Sequence, residues 1–184
     1  MKTFFTSDNH FFHKSIVKFC PETRMGITDV SEMNERMIDI WNKTVGVHDT
    51  VYTLGDFSFG TTEKTIQVLA RLNGHKHLIL GNHDHWINDD AKSFFESINH
   101  YKKIKVNGQR AILFHYPIVE YENMHHGAYH FYGHVHGNYK HPGRAMDVGI
   151  DARPQKDMGL WEWDELVELM EKKPVLSHHG KTVD

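Results

Sequence analysis

A single cysteine, Cys20, stands among the 184 residues. That excludes a disulfide framework and any zinc site built on several thiolates, and Cys20 itself, followed by Pro21, reads as an ordinary partly buried thiol. No apolar run approaches the roughly 20 residues that a helix needs to cross a bilayer. The N-terminal Phe4-Phe5 passes at once into Thr6-Ser7-Asp8, which is not the apolar core of a secretory signal. A cytoplasmic protein without a membrane partner is expected. An excess of charge of one sign is also missing: the formal net charge is −3 with histidines neutral. Strong basicity of the kind that holds nucleic acid by its phosphates is therefore absent, and any polynucleotide contact would have to be local. The one basic edge, Lys102-Lys103-Ile104-Lys105, serves equally well to guard an edge strand against aggregation. No repeat or low-complexity linker divides the chain, whose length suits one core, so a single domain over residues 1–184 is expected.

What the chain has in abundance is histidine, 17 in all. Many of these fall in five clusters: Asp8-Asn9-His10, Gly55-Asp56, Gly81-Asn82-His83-Asp84, His115, and Gly133-His134-Val135-His136. Most follow a short apolar run rich in β-branched and aromatic residues, at 2–6, 50–54, 77–80, 111–114 and 129–132, and such runs predict strands. If the strands share a core, their C-terminal ends converge and bring together a mixed oxygen and nitrogen donor set. That set suits Mn, Fe, Zn or Ni. About seven donors exceed what one tetrahedral site uses, so two cations are the better count.

Between the clusters, Phe11 to Phe19 reads as a short helical piece. Met33, Met37, Ile40 and Trp41 mark a helix over 31–44, with Asp29 or Ser31 as its N-cap. Thr61 or Thr62 opens a further helix with Ile66, Leu69 and Leu72 facing inward. Strand and helix alternate through residue 98, which argues for βαβ units and a largely parallel sheet. Beyond that point, 101–106 and 109–114 form a hairpin about Asn107-Gly108. Strands at 129–132 and 145–150 flank a glycine-bearing loop, and a last helix runs over 162–172. His178 and His179, in the polar tail, read as surface rather than ligands.

The chemistry these residues can support is phosphoryl transfer to water. A carboxylate such as Asp56 can bridge two cations about 3.5–4 Å apart, a spacing that clamps the attacking and leaving oxygens of an in-line displacement. A water shared by the pair loses its proton easily, so no serine or cysteine nucleophile is required. His83 is the natural residue to touch substrate instead of metal, with Asp84 fixing its tautomer. His13 and Arg24 are further candidates for meeting the substrate's charge.

Asp-x-His, Gly-Asp, Gly-Asn-His-Asp, an isolated His and Gly-His-x-His, in this order, resemble the signature of the calcineurin-like metallophosphoesterase superfamily. The resemblance implies an αββα four-layer sandwich, two mixed β-sheets flanked by helices. It assigns Asp8, His10 and His136 to one metal, Asp56 to the bridge, and Asn82, His115 and His134 to the other. His83 would stabilise the transition state or protonate the leaving oxygen, with Asp84 behind it. Two divalent transition metals are implied, manganese foremost and Fe, Zn or Ni as alternatives. The expected activity is hydrolysis of a phosphodiester, somewhat preferred, or a phosphomonoester, with a nucleotide or other phosphorylated small molecule as substrate. The alternative is a non-catalytic binding module of the same fold. His83 argues against it, because a scaffold has no use for an imidazole beside the metals. The residues after His136 are too few for a separate capping domain, so an open, shallow site is expected.

Overall fold

The computed structural model describes residues 1–177; His178 and His179 lie outside the described residues. The first half of the chain builds one sheet and its helical cover: β1 (Thr3–Thr6), α1 (Ile16–Phe19), α2 (Val30–Thr44), β2 (Thr50–Thr53), α3 (Thr62–Leu69), β3 (His75–Ile79), α4 (Asp89–Lys92) and β4 (Ser97–Asn99). The second half supplies β5 (Tyr101–Val106), β6 (Gln109–Phe114), β7 (Tyr129–Tyr132), β8 (Ala145–Asp147), β9 (Trp161–Glu162) and α5 (Trp163–Glu171). The strand order is β4-β3-β2-β1-β9 in one sheet and β5-β6-β7-β8 in the other. Each sheet is mixed. The strands β1 to β4 run parallel while β9 lies antiparallel to β1, and β5 lies antiparallel to β6 in an otherwise parallel second sheet.

Alternation of side chains along β1 explains the layering. Phe5 points between the sheets, where it packs with Leu54, Ile79, Leu113, Phe131 and Trp161, whereas Phe4 points outward into a cluster with Met33, Met37, Trp41 and Val68 of α2 and α3. The outer face of the second sheet is covered by Tyr121, Met124 and Leu176 over Ile112 and Tyr132. The chain is thus two mixed sheets flanked by helices, the architecture that the resemblance implies. Among the described residues no helix is long and apolar enough to cross a membrane.

Capping resolves two choices that the sequence left open. Asp29 caps α2, its carboxylate accepting from Ser31 N, and Thr61 caps α3. The expected hairpin turn is present, with positive φ at both Asn107 and Gly108. Two expectations need correction. Only Ile16–Phe19 of the 11–19 segment is helical, because Phe11 N bonds to Phe57 O and Phe59 N to Phe11 O, which draws the first part into a bridge beside the sheet. The strand expected over 145–150 stops at Asp147. Its carboxylate accepts from Gly137 N and Gly149 N, turning the chain into a 3-10 turn at Ile150–Ala152.

Candidate metal centre

In-register pairing puts the ends of the parallel strands level. Thr6 lies beside Thr53 and Thr53 beside Leu78 in the first sheet, and Leu113 lies beside Phe131 in the second. The segments that leave these ends are cross-linked through the backbone: Asp8 N to Gly55 O, His10 N to Asp56 O, and Gly133 N to His115 O. Asp8, His10, Asp56, His134 and His136 all adopt positive φ, between 48° and 70°. Each such residue costs about 1–3 kcal/mol unless its surroundings dictate it, and residues of this kind gather at functional sites. Here the turns are held by side chains. The Asp8 carboxylate accepts from His134 N, tying the first sheet to the second, and Asp56 Oδ1 accepts from His83 N at 2.9 Å.

Two donor groups result. The donor atoms of Asp8, His10 and His136 lie within 4.8 Å of one another, as do those of Asp56, His115 and His134. Asp56 faces both groups, its Oδ2 standing 3.7 Å from His10 Nε2 and 3.6 Å from His115 Nε2. Asn82 joins the second group with Oδ1 3.2 Å from His115 Nε2. All seven sequence candidates for metal binding therefore come together, and they divide into a pair of groups that meet at Asp56.

The residues fit cations on several independent grounds. Both ring nitrogens of buried His10 lack a hydrogen-bond partner, a cost that ligation removes. His115 Nδ1 donates to Leu54 O at 2.6 Å. That fixes the tautomer whose Nε2 carries a lone pair, and this lone pair faces the lone pairs of Asn82 Oδ1, which Tyr116 Oη already supplies with a proton. A cation between the two acceptors turns repulsion into ligation. His136 offers Nε2 in the same way, because its Nδ1 is engaged by Asp151 Oδ2 at 2.7 Å. Glycine is required at two close approaches. A Cβ on Gly133 would overlap Ser7 Oγ and lie 2.5 Å from Asp8 Oδ2, and one on Gly81 would lie 2.5 Å from Asp56 N and overlap its carboxylate.

Electrostatics agree with this assignment. Burial holds His10 down to about 4, leaving a neutral imidazole. Burial, reinforced by Asp147, pushes the Asp8 carboxyl well above the usual carboxylate range. Burial also acts upward on Asp56, but the neighbouring His10 and His115 rings and the bond from His83 N outweigh it and bring Asp56 to about 2. For His136, burial favours the neutral ring, yet Asp151, Cys20 and Asp8 prevail and raise it to about 11. Without a cation the first group thus holds an Asp8 carboxyl whose charge burial disfavours, next to an imidazolium, and a divalent cation would favour the ionised carboxylate and the neutral ring.

Two expected roles do not survive the geometry. Asp84 does not orient the His83 imidazole, because its carboxylate is fully occupied elsewhere. One oxygen accepts from Asp56 N and Gly81 N, and the other from Phe57 N and Trp86 Nε1. Asp84 braces the turns that carry Asp56 and Asn82. Arg24 is not a substrate contact: it is 1% exposed, and its guanidinium pairs with Asp151. His83 itself stands at the opening, its side chain 44% exposed and Nε2 4.0 Å from Asp56 Oδ2. His13 lies at the rim, its ring centroid 5.5 Å from that of His10 and 4.2 Å from that of Phe59. Cys20 Sγ lies 3.7 Å from His136 Nδ1. The neighbouring His130 is occupied by Ile112 O and Ile118 N.

Asp151 and Asp147 are functional residues that sequence reasoning missed. Asp151 orients His136, and the His136 and Arg24 charges outweigh burial to hold it at about 2. Asp147 ties the turn after His136 through Gly137 N. The available signal was a pair of carboxylates bracketing the apolar Val148 and Ile150, at the end of an apolar run like those that precede the other clusters.

Comparison with known proteins identifies the family. Residues 1–144 match the profile of the calcineurin-like phosphoesterase superfamily domain. An uncharacterized protein of Methanocaldococcus jannaschii, MJ1445, is 31% identical over 95% of this chain and 94% of its own length. The gene 66 protein of Mycobacterium phage L5 is 32% identical over 96% of this chain and 94% of its own. Among solved structures, AQ665 from Aquifex aeolicus, a protein of unknown function, superposes with a TM-score of 0.69 at 24% identity, over 91% of this chain and 98% of that one, which bears on the fold alone. The chain belongs to the calcineurin-like phosphoesterase superfamily, and with it to the metal-dependent hydrolases of phosphoric esters.

Proposed function

We propose that this phosphoesterase hydrolyses a phosphodiester, in preference to a phosphomonoester, of nucleotide type, using a pair of cations. The observation that carries the reading is the meeting of the two donor groups at the Asp56 carboxylate, with His83 exposed beside it. Asp8, His10 and His136 would hold one cation and Asn82, His115 and His134 the other, with Asp56 shared. When bound, such a pair lowers the pKa of a water to supply the nucleophile and neutralises charge on the phosphoryl oxygens, with manganese, Fe, Zn or Ni all suited to the donors.

The chain's own residues do the rest. Asp151 and Leu54 O fix the tautomers of His136 and His115, so each presents Nε2 to the centre. Asp56 and Asp84 hold the turn from Gly81 to His83 through backbone N–H groups, which keeps the His83 ring at the opening. From there His83 can donate a hydrogen bond to a phosphoryl oxygen or a proton to the departing alkoxide.

The test is His83→Ala. Metal content is expected to stay at the wild-type value while turnover of an aryl phosphodiester falls by at least about 100-fold, the usual worth of a general acid. Loss of both ions in the variant would contradict the division of labour. A panel at fixed manganese, comparing an aryl phosphomonoester, an aryl phosphodiester, cyclic nucleotides and single-stranded DNA, tests the substrate class. No turnover of any of them would favour a non-catalytic module.

A further inference from the structure

The aromatic residues at the mouth of the metal centre have no part in the chemistry described so far. Phe59 is 39% exposed and Phe19 71% exposed. Large apolar side chains standing singly in solvent are ordinary, but the position of Phe59 is not that of a stray. Its ring centroid lies 4.2 Å from that of His13, 4.6 Å from His83 and 5.0 Å from His10. The turn that carries it is fixed: Phe59 N bonds to Phe11 O, and Gly60 N to Ser58 Oγ. A rigid aromatic ring is thus held next to a metal ligand and the substrate-facing imidazole, with more than a third of its surface open.

Beside that ring is a shallow, widely open cleft of about 520 Å³, lined by Phe59 and His83 together with Thr61, Glu63, His85 and Trp86. Cavities that take small organic ligands run from about 300 to 1,000 Å³, so this one accommodates a nucleoside. Its lining has the mixture that a nucleobase requires, an aromatic face with hydroxyl, imidazole and carboxylate groups around it. Glu63 makes it unsuited to a second phosphate. A separate cavity of about 540 Å³ reaches His136 from the other arm of the site and includes Lys140 and Lys156. The His10 ring is 5.0 Å from the rings of both His136 and Phe59, so each cavity has a lining residue packed against this one ligand.

We propose that the cavity beside Phe59 is a nucleobase subsite, with Phe59 as its stacking face. The base belongs to one ester arm of the phosphorus held at the metal centre, and the other arm leaves toward Lys140 and Lys156. The subsite deepens, and rests on, the proposed hydrolysis of a nucleotide-type ester. It makes Phe59 a specificity residue for which stacking, tolerant of base identity, supplies the affinity.

The experiment measures equilibrium binding to the manganese-loaded protein of two non-hydrolysable phosphonates, the analogues of adenosine monophosphate and of ribose phosphate. The two differ only in the base. The wild type is expected to bind the adenosine analogue at least about tenfold tighter, and Phe59→Leu, which keeps apolar cover over His10 and His13, should abolish that preference without changing affinity for the ribose analogue. Phe59→Tyr, which keeps the ring, should retain the preference. Equal binding of the two analogues by the wild type would overturn the proposal. So would equal weakening of both by Phe59→Leu, which would make Phe59 a shield for the histidines, or loss of the preference in Phe59→Tyr. Hydrolysis is decided separately by the turnover panel: base-dependent binding without turnover leaves the subsite standing and removes the catalytic reading, and turnover without base-dependent binding does the reverse.

Discussion

Asp84→Asn separates two roles that the Gly-Asn-His-Asp segment could give its last residue. If Asp84 braces the turns, the substitution acts on stability and metal retention together. The carboxylate is buried and accepts four hydrogen bonds, from Asp56 N, Gly81 N, Phe57 N and Trp86 Nε1. An asparagine amide can serve the two donors on one oxygen, but its NH₂ meets the other two donors head-on. Each of the two buried donors left without an acceptor costs about 1–3 kcal/mol, or about 2–6 kcal/mol for the pair. Against this, asparagine avoids the burial that already pushes the Asp84 carboxyl upward. The balance is a destabilisation of about 3 kcal/mol, read as a loss of about 1.5 M in the urea midpoint for a domain of this size. Because two of the four donors belong to Asp56 and Gly81, manganese at the Asp56, Asn82, His115 and His134 group should be lost first on dilution. Equilibrium unfolding and metal analysis of the same preparation give both numbers. A midpoint within about 0.3 M of wild type, with both ions retained and only turnover reduced, would refute the bracing role and restore Asp84 as a partner of the His83 ring.

Two further outcomes follow from the geometry of the centre. Gly133→Ala should abolish binding of the cation held by Asp8, His10 and His136, since the new methyl overlaps Ser7 Oγ and crowds Asp8 Oδ2; retention of two ions in metal analysis would show that the strand ends yield more than supposed. Metal uptake should release a proton, because His136 is raised to about 11 and therefore protonated in the metal-free chain, whereas ligation needs its neutral ring. As pH rises from 6 to 8, proton competition weakens and apparent affinity should rise by about tenfold per unit; titration calorimetry giving the same heat in buffers of different ionisation enthalpy would contradict this.

The sequence made the donors legible for a specific reason. Asp8, Asp56, Asn82, His115 and His134 follow strands whose composition marks them, and parallel pairing in register then needs nothing more to bring the ends together. It was silent where neighbours in sequence are not neighbours in space. Asp84 follows His83 directly, yet the turn sends its carboxylate back toward Phe57 and Trp86, away from the imidazole it was expected to orient. Arg24 has the composition of a phosphate contact, but 127 residues further on the chain places Asp151 against it, and the pair is buried. The short strands β4 and β9, of three and two residues, carry too little pattern to be seen, and they form because existing sheet edges accept them. No compositional signal announces a left-handed backbone at aspartate and histidine.

That backbone conformation links the fold to the chemistry. A turn with positive φ at Asp8, Asp56 or His134 is costly by itself, and here each is stabilised by a bond running to another turn: Asp8 to His134 N, Asp56 to His83 N, Asp84 to Asp56 N. The carboxylates that would hold cations are therefore also the acceptors that hold the strand-end turns in place. Their buried position raises Asp8 and leaves His10 without partners, so the metal-free centre carries an energetic cost that the surrounding core must sustain. The interlayer packing of Phe5, Leu54, Ile79, Leu113 and Phe131 directly beneath supplies that support. A cation that relieves the crowding adds its binding energy to the stability of the whole fold. Substitutions that loosen the centre should then shift unfolding and metal loss in parallel, whereas substitutions at the open rim, Phe59 and His83, should alter recognition and turnover without moving either.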